Sequence, residues 1–337
     1  MSRRAIVAAF SVVAGLAAGC GTDTSDQTSS PATEHSTSGF PVTLLNCGVD
    51  VEVAAVPARA ISVNQPATEL MLSLGLADRM VGTASWNEPV LPELAADNAR
   101  VPELSADFPS FESLLERDPD FLYATFAYTF SENGIAARDR FHELGIPTYL
   151  SAGECRGQQA EQDRAFTFDD IYAEIRDISR VFGVEDAGTR LITSIQHRVR
   201  TATADLDASD TTLMYWYSAT RVPYIAGCCG APGMITDAVG AQNAFADSRQ
   251  LWPEITWESI LDRDPDILVL ADLTRGDDGD TAAAKIEFLE SDPLASRLSA
   301  VREKRYVIVS GTALDPSLRS VDAVEKVADA LRAAGDR

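Results

Sequence analysis

Two segments of the chain repeat each other closely enough to indicate the fold class. Residues 111–122 read FESLLERDPDFL and residues 257–268 read WESILDRDPDIL, so eight of the twelve positions are identical. In each copy the Glu-Ser-Leu/Ile-Leu segment predicts a short helix, which is broken at Asp-Pro because the residue before proline is pushed out of the α region. The apolar run that follows predicts a strand buried on both faces, as in a parallel sheet. The repeat therefore predicts two similar α/β lobes.

The segments around each copy support that fold class. Strand and helix patterns alternate, which is typical of mainly parallel sheets. Predicted strands lie at 60–63, 80–83, 145–150, 212–217 and 306–309, with helices at 67–75 and 232–239.

A helical stretch separates the two copies. Residues 168–181 and 184–206 have apolar positions at helical spacing, and the second stretch predicts one long helix that joins the lobes. We expect an N-terminal α/β lobe, connecting helices and a C-terminal α/β lobe. Their predicted bounds are 41–165, 166–207 and 208–337.

The N-terminus predicts export. Arg3 and Arg4 precede an apolar run that is shorter than the roughly 20 residues of a membrane-spanning helix. The run ends in LAAGC at 16–20, which resembles a bacterial lipobox and makes residues 1–20 a signal peptide whose Cys20 is lipidated; a plain secretory signal or a membrane-anchoring segment is the alternative. Residues 21–40 are mostly small and polar and predict a flexible tether.

The other cysteines fit an oxidising compartment. Cys47, Cys155, Cys228 and Cys229 allow three pairings. Because Cys47 and Cys155 bracket the first lobe, we expect them to form a disulfide. Cys228 and Cys229 would then be thiols or a strained adjacent pair.

Composition and motifs argue against several functions. A net charge of −23 disfavours nucleic acid as a partner. No GxSxG, HExxH, phosphate-binding GxxxxGK or GxGxxG motif occurs, so we expect no catalytic residue, and an exported enzyme is the less favoured alternative. The three histidines lie far apart, and we expect neither a bound metal of the protein's own nor a cofactor.

Several of these features together resemble the class III solute-binding proteins of ABC importers. They are the two lobes, the long helix, the ExL/ILxxxPD motif in each lobe and the PARAI segment at 57–61. The similarity covers roughly residues 41–335 and implies a monomer, anchored to the membrane by its lipid, that delivers a ligand to an ABC permease and its ATPase. Members of the family bind ferric siderophores, haem or corrinoids, which implies a metal chelate as ligand.

A narrower resemblance leaves the ligand open. NCG at 46–48, YWYSATRVPYIAG at 215–227, GAP at 230–232 and WPEITWESILDRDPDILVL at 252–270 are similar to an actinobacterial branch of the family. Some members of that branch are importers of a deazaflavin precursor. A metal-free cofactor precursor is therefore the alternative ligand.

The loops after the predicted strands contain candidate ligand-binding residues, because ligands of open α/β sheets lie beyond the carboxyl ends of the strands. We expect an aromatic wall with a few polar groups, and Arg221 and Arg319 to contact an anionic group of the ligand. For each aromatic side chain the alternative is packing in the core. The candidates are Asn64, Gln65, Trp86, Asn87, Phe126, Tyr128, Tyr217, Arg221, Tyr224, Arg275 and Arg319.

Each repeat copy also has a glutamate near the start of its short helix. The family resemblance implies that Glu112 and Glu258 dock on arginines of the permease, one from each lobe. The alternative is a local role, since a carboxylate in the first helical turn interacts favourably with the helix dipole.

Overall fold

The computed structural model describes residues 39–158 and 160–335. The predicted signal peptide with Cys20 lies outside these residues, as does the predicted tether apart from residues 39 and 40. Within the described part of the chain, no helix is both long and apolar enough to cross a membrane.

Strands and helices alternate through most of the chain. The strands are β1 (Val42–Asn46), β2 (Val49–Val53), β3 (Ala60–Val63), β4 (Met80–Ala84), β5 (Glu103–Ser105), β6 (Phe121–Ala124), β7 (Thr148–Leu150), β8 (Thr212–Ser218), β9 (Tyr224–Ile225), β10 (Gln242–Asn243), β11 (Ile267–Asp272) and β12 (Tyr306–Ser310). The helices are α1 (Gln65–Ser73), α2 (Ala95–Asn98), α3 (Phe111–Leu115), α4 (Arg138–Glu143), α5 (Phe168–Phe182), α6 (Glu185–Thr203), α7 (Ala231–Val239), α8 (Trp257–Arg263), α9 (Ala282–Ser291), α10 (Ser299–Arg302) and α11 (Ser320–Gly335).

Two mainly parallel sheets form the framework, which confirms the predicted fold class. The first has the order β5-β4-β3-β6-β7, with every pair parallel. The second has the order β10-β8-β11-β12, with β9 antiparallel to β8. The central strands β3 and β6 are buried at every position, as expected for sheets covered on both faces. All carboxyl ends of the parallel strands in a sheet therefore lie at one edge.

The repeat has the same structure in both copies. Ser110 and Thr256 cap α3 and α8 by accepting a hydrogen bond from a backbone N–H of the first turn. The apolar faces of both helices are buried. The residue before proline has left-handed backbone in each copy, with φ of 50° at Asp118 and 40° at Asp264. The predicted helix break is therefore present at both places.

The second aspartate of each copy joins the repeat to the neighbouring strand. The Asp120 carboxylate accepts hydrogen bonds of 2.8 and 2.9 Å from the backbone N–H groups of Ala58 and Arg59, just before β3. In the second copy, Asp266 accepts 2.9 Å from the N–H of Thr212, where β8 begins. The repeated Asp-Pro-Asp thus ends a helix and aligns two strands of the sheet.

Two helices connect the sheets. α5 begins with a capping box between Thr167 and Asp170 and ends at Gly183, whose φ is 65°. α6 has 19 residues and is shorter at both ends than predicted, since it stops at Thr203. Ile192 of α6 is buried in the core of the first sheet, and Val199, two turns later, packs against the cores of both sheets. The long helix therefore contacts both halves of the protein.

Both pairs of cysteines are bonded. Cys47, between β1 and β2, forms a disulfide with Cys155, with Cα atoms 4.9 Å apart, as the sequence predicts. Cys228 and Cys229 form the adjacent pair that was one of the two predicted alternatives.

Candidate functional site

Asn64 joins the loops at the carboxyl-terminal edge of the first sheet. It follows β3 with a φ of 73° and is 3% exposed. Its Nδ2 donates to Ser85 Oγ at 3.1 Å, and its Oδ1 accepts from the N–H of Phe126 at 3.3 Å and from Thr129 Oγ1 at 3.2 Å. The side chain therefore connects the loops after β3, β4 and β6 and is used within the protein.

Gln65 has a similar role beside it. Its Nε2 donates to Glu69 Oε1 and to the carbonyl of Pro89, both at 3.1 Å. Its Oε1 accepts from the N–H of Glu88 at 3.1 Å. Asn64 and Gln65 are buried and have partners inside the edge, so both support the loops, and ligand contact by either residue stays a prediction.

The other candidates of the first edge lie at different depths. Trp86 is partly buried and donates from Nε1 to Thr83 Oγ1 at 3.1 Å, and Phe126 is also partly buried. Tyr128 is 52% exposed, and its hydroxyl donates to the carbonyl of Asn133 at 2.8 Å. Asn87 is exposed. The backbone carbonyl of Asn87 accepts a hydrogen bond from the Thr274 hydroxyl, which belongs to the edge of the second sheet.

Tyr217 lies at the centre of the second edge. Its ring is 4.7 Å from the ring of Trp252, and the Arg275 guanidinium lies 5.4 Å from its centroid. Arg275 is held by Asp280, with 2.7 Å between Nη2 and Oδ1. Burial, with the nearby charge of Asp315, raises the pKa of Tyr217. These contacts form an aromatic wall with a fixed cation beside it.

Arg221 lies in the turn after β8, and Tyr224 is the first residue of β9, where it pairs with Ser218. Tyr224 is 38% exposed and donates from its hydroxyl to Glu254 Oε1 at 2.8 Å. Arg221 is exposed as well. No ring contact or hydrogen bond joins either residue to Tyr217 in the described chain, and their contact with the ligand stays a prediction.

Arg319 connects the two edges through buried ion pairs. Its Nε donates to Glu69 Oε2 and its Nη1 to Glu88 Oε2, both at 2.9 Å, and Nη2 donates to the carbonyl of Pro89 at 2.6 Å. The side chain is 8% exposed and the two carboxylates are 1% and 5% exposed. Two carboxylates of the protein therefore already neutralise Arg319 in this structure, and its contact with an anionic group of the ligand stays a prediction.

Two further carboxyl groups lie between the edges. Glu154 follows β7 and Asp315 follows β12, and they are 2% and 5% exposed. A Cβ atom at Gly153 would be 2.5 Å from Cγ of Pro316, so only glycine allows the segments that carry the two groups to approach this closely. Burial raises the pKa of Glu154 to about 7. Burial, reinforced by the charges of Glu154 and Glu88, raises the pKa of Asp315 to about 8.

The sequence reasoning missed some of these groups. Trp252, Glu88, Glu154 and Asp315 were not among the candidates. Glu154 and Asp315 follow strands of the two sheets, so the rule that selected the other candidates could have found them. They were passed over because acidic residues are frequent on the surface of this chain.

Surface grooves and metal ligands give no competing site. Grooves of about 340 and 400 Å³ lie between α5 and α6 and along α11, and neither is lined by an aromatic side chain. No group of three or more His, Cys, Asp or Glu in residues 39–158 and 160–335 is arranged to hold a metal ion.

Glu112 and Glu258 occupy equivalent places in the repeat. Both are exposed in the first turn of their helices. The side-chain caps are made by Ser110 and Thr256, at 3.1 and 3.3 Å from the N–H groups they accept. The glutamates are therefore not needed as caps.

Comparisons with known proteins agree with one another. The model of the periplasmic binding protein family matches residues 61–312. An uncharacterized ABC transporter substrate-binding lipoprotein of Bacillus subtilis is 25% identical and covers 98% of each chain. The vitamin B12-binding protein of Vibrio cholerae is 24% identical over 82% of this chain and 90% of its own length. The crystal structure of an ABC-type Fe3+-hydroxamate transport system from Saccharomonospora viridis is 26% identical, with a TM-score of 0.70 over 86% of this chain and 99% of that chain.

Proposed function

The chain belongs to the periplasmic binding protein family, and on that premise we propose that it is the lipid-anchored solute-binding subunit of an ABC importer. It binds a small ligand between the carboxyl edges of its two sheets and passes the ligand to a permease. The observation that carries this proposal is the aromatic wall of Tyr217 and Trp252 with the Arg275 guanidinium beside it. An aromatic surface with a few placed polar groups is typical of small-molecule sites.

The ligand that fits best is a metal chelate of the ferric siderophore, haem or corrinoid type. The relatives named for vitamin B12 and for Fe3+-hydroxamate support this class. Such ligands carry their own metal, so the protein supplies shape and hydrogen bonds in place of metal ligands. The wall of Tyr217 and Trp252 suits a ligand with a large apolar surface.

Lipidation of Cys20 anchors the protein outside the cell membrane in this proposal. The relative from Bacillus subtilis is itself called a lipoprotein. The tether at 21–40 would keep the binding domain within reach of the permease.

Glu112 and Glu258 dock the protein on the permease. Their support is positional: the repeat places one exposed glutamate in the same turn of the same short helix of each half. Opposite charges across an interface act mainly on association rate and orientation. Neither residue is near Tyr217 in the chain's contacts, so docking and ligand binding should be separable.

The test is transport by a charge-reversed pair. Glu112→Lys with Glu258→Lys should reduce uptake of labelled Fe3+-trihydroxamate or cyanocobalamin by about tenfold or more while ligand affinity and thermal stability stay unchanged. The matched control is Glu116→Lys with Asp262→Lys, because these two exposed residues are also equivalent in the repeat, in or next to the same helices. Normal uptake by the first pair, or an equal loss in the control pair, would contradict the docking role.

A further inference from the structure

Asp315 is a buried carboxylate without a partner. It is 5% exposed, and no hydrogen bond to its side chain is made by any residue that the structure describes. Its backbone atoms are bonded, since its N–H donates to Thr312 and its carbonyl accepts from Ser320 Oγ at 3.1 Å. Buried carboxylates are normally paired or hydrogen-bonded, so an open one needs an explanation.

The neighbouring charges do not supply the missing partner. Glu88 is held by Arg319 at 2.9 Å, and Arg275 is held by Asp280 at 2.7 Å. The remaining neighbour is Glu154, which is also acidic and accepts hydrogen bonds from the N–H of Ala127, at 3.5 Å, and from the Gln158 side chain. After these pairs are formed, the space between the edges keeps two carboxyl groups that lack a cation.

Tyr217 adds a third open group. Its hydroxyl makes no hydrogen bond to another described residue, and its ring is covered by Trp252 and Arg275. Tyr217 packs against the buried apolar cluster that contains Leu314, the residue before Asp315. Tyr217 and Asp315 belong to the second edge and Glu154 to the first, and the close approach of Gly153 to Pro316 brings the segments of Glu154 and Asp315 together.

We propose that Asp315, Glu154 and Tyr217 form an acidic subsite that takes a protonated amine or another cationic nitrogen group of the ligand. This inference rests on the proposed solute-binding function and narrows its ligand class. A compact ammonium group can donate to both carboxylates and to the phenol oxygen, which satisfies all three groups at once. A bare metal ion is a poorer occupant, because no metal-holding arrangement of these residues is present in the described chain. The proposed ligand therefore carries a positive charge at this subsite, whereas the sequence predicts an anionic group on the ligand.

The protonation of the subsite predicts its pH dependence. Burial raises the pKa of Glu154 to about 7 and that of Asp315 to about 8, while Glu88 adds to the effect and Arg275 opposes it. An ammonium group needs the ionised carboxylates, so its binding should strengthen as the pH rises through about 7 to 8. A ligand that accepts hydrogen bonds from the protonated carboxyls would show the opposite trend.

The experiment uses two probes that differ only in this charge. Ferrioxamine B is an Fe3+-trihydroxamate with a free terminal ammonium group, and its N-acetylated form is the same chelate without the charge. We expect the wild-type protein to bind ferrioxamine B about tenfold more tightly than the acetylated form, with the difference growing as pH rises. Asp315→Asn and Glu154→Gln, which keep the side-chain shapes, should remove most of that preference. Glu287→Gln, at an exposed position on α9, should retain it.

The possible results separate failure of the acidic subsite from failure of the proposed solute-binding function. Equal binding of the two probes, a preference that survives Asp315→Asn, or affinity that falls with rising pH would overturn the acidic subsite and leave solute binding intact. If neither probe nor cyanocobalamin binds the folded wild-type protein, the chelate-binding function fails and the subsite fails with it. Circular dichroism of each variant distinguishes a lost site from a lost fold.

Discussion

The carboxyl edges of the two mainly parallel sheets differ in how the polar side chains of their loops are hydrogen-bonded. At the first edge, Asn64 and Gln65 are buried and have partners in several loops. At the second edge, Tyr217 is partly buried and Asp315 is buried, and no hydrogen bond within the described chain reaches the hydroxyl of the first or the carboxylate of the second. Asn64 and Gln65 are thus used by bonds within the first edge, whereas the second edge supplies two of the three groups of the proposed subsite.

The comparison separates the segments of the repeat that build the sheets from the loops in which the proposed binding site lies. The repeated Asp-Pro-Asp builds both sheets by the same bonds to the neighbouring strand. The loops at the opposite ends of those strands do not follow the repeat. The scaffold is therefore common to both halves, and the proposed site arises where the loops of the second half differ from those of the first.

The largest expected difference between the two halves is in the free energy of unfolding that each loses when its disulfide is removed. Replacing Cys47 and Cys155 with Ala removes a link across 108 residues and should lower the free energy of unfolding by about 4–5 kcal/mol on the chain-entropy model. Replacing Cys228 and Cys229 with Ala should change it little, because a bond between neighbours closes no loop. Urea unfolding of the two double variants measures both values. Equal losses would mean that the first half does not depend on its disulfide more than the second.

Loss of the Arg319 ion pairs, which connect the two edges, should have the next largest effect on the free energy of unfolding. Arg319→Ala leaves Glu69 and Glu88 buried without their cation and should cost about 3–5 kcal/mol of unfolding free energy. Arg100→Ala is the control, because it removes exposed ion pairs with Asp78 and Asp97 that contribute about 1 kcal/mol or less. Urea unfolding compares them. A loss in Arg319→Ala no larger than in Arg100→Ala would break the account of a buried link.

Much of the framework was predictable because its signals are local. The apolar runs of β3, β6, β8 and β11 and the Asp-Pro breaks are read within a few residues. The β1–β2 hairpin was missed, although its alternating burial and the positive φ of Cys47 and Gly48 are also local signals. A period of two over VTLLN, followed by a two-residue turn, would have predicted it.

The site was less predictable because its partners are distant in sequence. Arg319 and Glu69 are 250 residues apart, so nothing near Arg319 shows that its charge is already neutralised. The same holds for Asn64, whose partner Thr129 is 65 residues away. Residue type and strand position placed the candidates near the carboxyl ends of the strands, and only the three-dimensional structure shows which of them already have partners within the protein.

Removing a buried carboxylate should change the free energy of unfolding in opposite directions at the two edges. The raised pKa of Asp315, about 8, means that the folded protein holds a proton there which the unfolded chain releases at lower pH. Its contribution to stability is present at low pH and is lost as pH rises from about 4 to 8. Asp315→Asn should therefore raise the unfolding free energy by about 2 kcal/mol or more near pH 8, and by less near pH 5.

Glu69→Gln is the counterpart at the first edge. It removes a partner of Arg319 and should lower the unfolding free energy near pH 8. Denaturant unfolding at both pH values tests the pair. If both variants changed the free energy of unfolding in the same direction, the distinction between an open and a paired carboxylate would be wrong.

The smallest expected effect concerns two tyrosines in ligand binding. Tyr217→Ala removes part of the aromatic wall and should weaken binding of a metal chelate by about 1 kcal/mol or more. Tyr128→Ala, at a side chain that is 52% exposed, should leave affinity unchanged. Tryptophan fluorescence titration with cyanocobalamin or ferrioxamine B gives both values. Loss of affinity in Tyr128→Ala alone would move the site to the first edge.

The central claim is that this protein binds one solute between its sheets without changing it. Native mass spectrometry of the folded protein, incubated with a mixture of ferrioxamine B, haem and cyanocobalamin, tests it most directly. We predict a 1:1 complex with a metal chelate, reduced in Tyr217→Ala, from which denaturation releases the chelate at its original mass. A protein that forms no complex with any of the three, or that releases a chemically altered chelate, would contradict the account.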